Sequence, residues 1–164
     1  MATGSKRSTR FAVDAMLGSL ARKLRAFGFD SAYYKDISDS KILSLCGRNG
    51  RVLITADRGL AALAKARGLP AVLVSGGTDG RRMSAMVKAA RESGFPLRMG
   101  EPRCSVCNGE LRGASRAAVR VAVPASVARR HRAFQQCSEC GQVYWKGGHW
   151  KKLRRLRKLF EAES

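Results

Sequence analysis

With 164 residues the chain can build one ordinary domain or one small domain plus a module, and little more. Its 32 Lys and Arg against 12 Asp and Glu give a formal charge of +20, a field that draws polyanions. Nucleic acid is therefore the leading partner and an anionic membrane surface the competitor. No membrane-spanning helix is expected, because no apolar run approaches roughly 20 residues.

The opening MATGSKRSTR is polar, lacks the apolar run of a signal peptide and reads as a disordered basic arm. A cytoplasmic protein with reduced thiols is expected. Residues 10–14 (RFAVD) read as a short buried strand running into a helix. There Leu17, Leu20, Leu24 and Phe27 recur at spacings of three and four and share a buried face. Arg22, Lys23 and Arg25 lie off that stripe, where they meet solvent or a polyanion, and Gly28 ends the helix. Residues 31–35 form a second strand. After the loop 36–39, Ser38 or Asp39 caps a helix carrying Ile42, Leu43 and Leu45. Cys46, on the apolar side of that helix, reads as core. Residues 51–55 (RVLIT) are apolar almost throughout, as a strand covered on both faces requires. Asp57 opens a helix with Leu60, Leu63 and Ala64 inward. A fourth strand spans residues 71–74, a glycine-rich loop follows, and a helix over 81–93 turns Met83, Met86, Val87 and Ala90 inward. This alternation predicts an α/β fold, a small, mostly parallel sheet with helices on both faces. Composition changes near residues 94–100, which divides the chain into a domain over 10–98, a module over 99–150 and a basic tail over 151–164.

The module contains two C-x-x-C knuckles, Cys104 with Cys107 and Cys137 with Cys140, each followed closely by glycine. A two-residue spacer lets both sulfurs reach one tetrahedral Zn²⁺, and four thiolates make a closed, structural site. A disulfide pair or a redox C-x-x-C fits a doubled knuckle in a reducing compartment poorly. Between the knuckles, residues 117–123 (AAVRVAV) read as a strand and residues 128–132 as a short basic segment.

Every Asp lies between Asp14 and Asp79, and every Glu from Glu92 onward. Asp14, Asp39 and Asp57 fall at strand ends, helix starts or the loops between them, positions that a parallel sheet gathers at one edge. Two readings of these acids stand: helix caps, or ligands of Mg²⁺ or Mn²⁺ that orient water for attack on a phosphodiester. In the second, Arg22, Lys23, Arg25 and Arg58 hold the anionic backbone.

The segments FAVDAMLG (11–18), LARKLR (20–25), GFD (28–30), TADR (55–58), RCSVCNG (103–109) and CGQVYW (140–145) together resemble the Mut-seven-type C-terminal RNase domain, a PIN-like nuclease domain joined to a zinc ribbon. The resemblance covers about residues 10–150 in the family's order. It implies a PIN-like fold and a metal-dependent ribonuclease, with Asp14, Asp39 and Asp57 as catalytic metal-binding acids and the four cysteines as zinc ligands. PIN-like nucleases often carry a fourth acid, which here only Asp79 or Asp36 supplies.

Tyr144, Trp145, Lys146 and His149 interleave aromatic and basic character, suited either to stacking on RNA bases or, for the two aromatics, to packing the ribbon core. The tail KKLRRLRKLF (151–160) carries Leu153, Leu156, Leu159 and Phe160 as an apolar stripe. Docked on the ribbon, it would expose Lys151, Lys152, Arg154 and Arg155 to structured RNA: ribosomal RNA, tRNA or the ribosome itself. The expected activity is endoribonucleolytic. A non-catalytic RNA- or ribosome-binding protein and a toxin-type RNase of a toxin–antitoxin pair are the rivals.

Overall fold

The computed structural model describes residues 8–147 and 149–161, the side chains of 149–152 excepted. Most of the expected basic arm, residues 1–7, lies outside the described residues. The first half alternates strand and helix: β1 (Phe11–Val13), a 3₁₀ turn (Ala15–Leu17), α1 (Gly18–Ala26), β2 (Ser31–Tyr33), α2 (Asp39–Asn49), β3 (Val52–Thr55), α3 (Arg58–Ala66), β4 (Ala71–Leu73) and α4 (Asp79–Glu92). The four strands pair in parallel in the order β2-β1-β3-β4, with Ala12 opposite both Ala32 and Leu53. Side-chain alternation divides the core in two. Phe11, Val13, Val52 and Ile54 pack with Leu17, Leu20 and Leu24 of the first helical unit and with Met83 and Met86 of α4. Ala12 and Leu53 face Ile42, Leu43 and Cys46 of α2 and Leu60 and Ala64 of α3. Burial pushes the Cys46 thiol up to about 11, so it is a protonated core residue. Leu63, expected inward, is 45% exposed, because the buried stripe of α3 is the i, i+4 pair Leu60 and Ala64.

The second half is a three-stranded antiparallel sheet, β5 (Leu111–Ala114), β6 (Phe134–Cys137) and β7 (Val143–Trp145), in the order β5-β6-β7. Two short helices, α5 (Arg116–Val119) and α6 (Ala125–Arg130), connect β5 to β6. The strand expected over 117–123 is therefore replaced largely by a helical turn. Ser115 caps it, its hydroxyl accepting from the Ala118 amide at 3.2 Å. Val119 and Val123 turn into the small core, while Val121, which a strand would place beside them, is 93% exposed.

The last helix, α7 (His149–Glu161), does not dock on the ribbon. Phe160 packs on Phe27 and Phe29 at centroid distances of 5.3 and 5.1 Å, and Leu153, Leu156 and Leu159 extend the same core beside α4. The ribbon's apolar cluster is already covered by α5 and α6, whereas the α1 and α4 face still offers aromatic surface. Among the described residues, no helix is long and apolar enough to cross a membrane.

Candidate metal centres

All four acids expected to hold a cation stand where a helix follows a parallel strand. Asp14 caps the 3₁₀ turn after β1, its Oδ1 accepting from the Ala15 amide at 2.6 Å. Asp57 caps α3 after β3, accepting from the Leu60 amide at 3.0 Å. Asp39 and Asp79 open α2 and α4 after the outer strands, behind the caps Ser38 and Thr78. Because β2 and β4 lie on opposite sides of the β1–β3 pair, Asp14 and Asp57 flank the point where the winding reverses, the usual ligand crevice of such sheets. Thr55, fully buried, joins them: its hydroxyl donates to Asp14 Oδ2 at 2.9 Å and accepts from the Asp57 amide at 3.0 Å.

The acids are not drawn into a tight cluster. Among the described residues, the four cysteines are the only group of three or more potential ligands within 4.8 Å of one another. Asp39, Asp57 and Asp36 are exposed, and Asp36 takes a left-handed φ of 57° in the loop after β2. Asp79 is engaged by Lys23 Nζ and Ser19 Oγ, both at 2.5 Å. Those two hydrogen bonds, Lys23's the larger influence, hold its carboxyl below the usual range. Lys23 is thus an internal counter-ion rather than a free phosphate contact.

The cysteine quartet fits zinc by its donor set and spacing. Cys104 and Cys140 Sγ lie 3.5 Å apart, and Cys107 and Cys137 Sγ 3.4 Å. Tetrahedral Zn–S bonds of about 2.3 Å place sulfurs about 3.8 Å apart. At Gly109 a Cβ would stand 2.9 Å from Cys137 Sγ, and the glycine's amide donates to Cys107 Sγ at 3.4 Å. Burial pushes the Cys104 thiol up, but hydrogen bonds from the Tyr144 hydroxyl and the Cys107 and Val106 amides outweigh it and bring it down to about 6. The four-cysteine cluster can therefore hold a zinc ion.

Two expected RNA contacts are used elsewhere. Tyr144 Oη lies 3.1 Å from Cys104 Sγ and accepts from the Ser105 amide at 3.0 Å, so the phenol braces the first knuckle. Arg25, 4% exposed, faces inward and donates to the carbonyls of Ser31, Ser105 and Val106. It ties α1 to the knuckle instead of meeting a polyanion, because its planar fork pairs with all three carbonyls at once. Arg22, Arg58, Lys146, Arg154 and Arg155 are exposed, and Trp145 is 38% exposed. His149, Lys151 and Lys152 lie in α7 with side chains outside the described set.

Sequence reasoning missed Thr55 and Asn108. A threonine two residues ahead of an aspartate at a strand end was the signal for the first. Asn108, at a left-handed φ of 72°, accepts from the Ser31 amide and donates to Asp30, joining knuckle and sheet.

No curated protein and no solved structure matches the chain. The family model described as the Mut7-C RNAse domain matches residues 9–157, a span that includes the four strand-end acids and the four cysteines. The chain belongs to the Mut7-C RNAse domain family.

Proposed function

We propose that this protein is a PIN-like, metal-dependent endoribonuclease. Its site is the crevice at the carboxyl ends of β1 and β3, where Asp14 and Asp57 hold a divalent cation and Asp39 and Asp79 add carboxylates at the flanking helix starts. The observation that carries this reading is the placement of all four acids at helix starts on one sheet edge, with Thr55 linking the two that flank the reversal. Carboxylate oxygens are hard donors suited to Mg²⁺ or Mn²⁺. When bound, such a cation offsets charge on the phosphodiester and orients a water for in-line attack. Thr55 and the Ala15 amide fix the Asp14 carboxylate, and the Leu60 amide fixes Asp57. Arg22 and Arg58, exposed on α1 and α3, would hold the RNA backbone.

The Lys23–Asp79 pair favours a second reading, a protein that holds RNA on this fold and cuts it inefficiently. Labelled RNA incubated with wild type, Asp14→Asn and Asp57→Asn, with Mn²⁺, Mg²⁺ or neither, separates the two. Cleavage by wild type only with metal, and binding without cleavage by both variants, establishes the nuclease. Equal binding by all three with no cleavage leaves the RNA-binding reading.

A further inference from the structure

Between the two knuckles, residues 111–136 carry Arg112, Arg116, Arg120, Arg129, Arg130 and Arg132, together with His131 and no acid. None of the six belongs to either metal centre. All are exposed, and among the described residues none forms a salt bridge. Val119, Val123 and Ala128 pack on Phe134 and Val143, which fixes α5 and α6 against one face of the ribbon sheet. Strand register places further residues on that face. Ala114 and Trp145 both lie opposite Phe134, and Arg112 lies opposite Gln136, two residues along β6. Arg112 and Trp145 therefore share the side covered by the helices. His131, just after α6, sets its ring 6.5 Å from that of Trp145, tilted by 44°. Arg129, Arg130 and Arg132 flank His131 in the chain.

We propose that this helical insert is a single-stranded RNA clamp, with Trp145 and His131 stacking on unpaired bases and the arginines holding phosphates. It rests on the reading of RNA as substrate and adds where the strand is held. Guanidinium groups beside exposed aromatic rings are the combination that single strands use, because every base offers a π-face. A membrane surface suits the insert poorly. Helices of four and six residues present no continuous apolar face, and the one large apolar side chain thrust outward is Val121.

The test uses full-length protein, a fluorescein-labelled mixed-sequence single-stranded RNA of about 20 nucleotides, and a KCl series without added Mg²⁺ or Mn²⁺. Fluorescence anisotropy compares wild type with Arg129→Gln/Arg130→Gln/Arg132→Gln and with Trp145→Ala. Zinc content and melting temperature report whether each variant folds. The triple variant is expected to bind about tenfold more weakly and to flatten the log–log salt slope by about 2, near 0.7 per lost phosphate contact. Trp145→Ala is expected to weaken binding about tenfold with the slope kept. Wild-type affinity and slope in a folded triple variant overturn the proposal. So does unchanged RNA affinity accompanied by lost binding to phosphatidylserine vesicles, or a stronger hold on duplex than on single strands. Cleavage is not read, so an inactive aspartate edge leaves this result standing. Conversely, loss of the clamp leaves the metal dependence of cutting to be judged separately.

Discussion

Arg25 reaches from α1 across to the first cysteine knuckle, donating from Nη1 to the Ser105 carbonyl at 2.8 Å and the Val106 carbonyl at 3.0 Å. Its Nε donates to the Ser31 carbonyl at 2.8 Å, and its own carbonyl accepts from the Arg103 amide. One buried guanidinium therefore satisfies three carbonyls in two parts of the fold. Arg25→Met keeps much of the volume and leaves those acceptors unpaired, which is expected to cost about 3 kcal/mol. For a chain this size that lowers the melting temperature by roughly 6–12 °C. Arg25→Lys is expected to rescue little, since an ammonium lacks the planar fork. Thermal unfolding of both variants with zinc present measures it, and a rescue by Lys would show that charge alone matters.

The same seam holds a backbone contact that admits no side chain. Gly28 takes a φ of +87°, and a Cβ there would stand 2.4 Å from the Gly100 carbonyl carbon. Gly100 in turn donates its amide to the Phe27 carbonyl at 3.1 Å. Gly28→Ala must move backbone rather than a flexible side chain, at about 3 kcal/mol or more. Gly68→Ala is the control. It has a similar positive φ, +66°, and among the described residues no atom beyond its chain neighbours lies within 4 Å of the added carbon, so only the local strain of about 1 kcal/mol applies. Denaturant midpoints of the two variants compare them directly.

Tyr144 gives a test of the zinc assignment that spares the ligands. Its hydroxyl contacts Cys104 Sγ, the Ser105 amide and Ser105 Oγ, orienting the buried knuckle. Tyr144→Phe is expected to retain one zinc per chain and to release it to a competing chelator about tenfold more readily. Cys137→Ser, by contrast, should lose the ion outright and melt the ribbon. Metal analysis with a chromogenic chelator reads both. Equal zinc release by wild type and Tyr144→Phe would assign the phenol to packing alone.

The parts of this fold visible in the sequence were those written at short range. Apolar residues three and four apart announced α1 and α4, the RVLIT run announced a strand covered on both sides, and each C-x-x-C pair announced a knuckle. What escaped depends on partners far along the chain. Nothing near Arg25 says that its acceptor Ser105 lies 80 residues away, or near Lys23 that Asp79 awaits it. Valines at alternate positions over 119–123 match a strand as well as a turn, and only the Ser115 cap decides. The apolar stripe of the tail helix does not itself say which half of the molecule covers it; Phe27 and Phe29 made the choice.

Acid should loosen the joint between sheet and ribbon through Asp30. Burial pushes its carboxyl up, but hydrogen bonds from Arg51 and Asn108 outweigh that and hold it below the usual range. A folded-state pKa below the unfolded value of about 3.9 means that the stabilisation is complete above that value. It is lost as pH falls through the folded pKa. Asp30→Asn is expected to be less stable than wild type at pH 7, with the gap closing in the acid range below about pH 4. Melting temperatures across that range test the sign, and parallel curves for the two proteins would remove Asp30 from the account.

Thr55 offers the sharpest probe of the proposed nuclease site, because it is fully buried and touches both central acids without being one of them. Thr55→Val preserves shape and strand preference but leaves Asp14 Oδ2 without its donor and the Asp57 amide without its acceptor. The stability loss is expected to be about 1–2 kcal/mol. If these acids hold the catalytic cation, cleavage should fall by about 10–100-fold and half-saturating Mn²⁺ should rise, as when groups behind metal ligands are removed. Thr55→Ser keeps the hydroxyl and should restore both the rate and the metal response. A purely structural hydroxyl would lower the melting temperature in Val and leave the Mn²⁺ dependence of cutting where it is in wild type. The comparison of Val with Ser at matched Mn²⁺ therefore separates support of the fold from orientation of the acids.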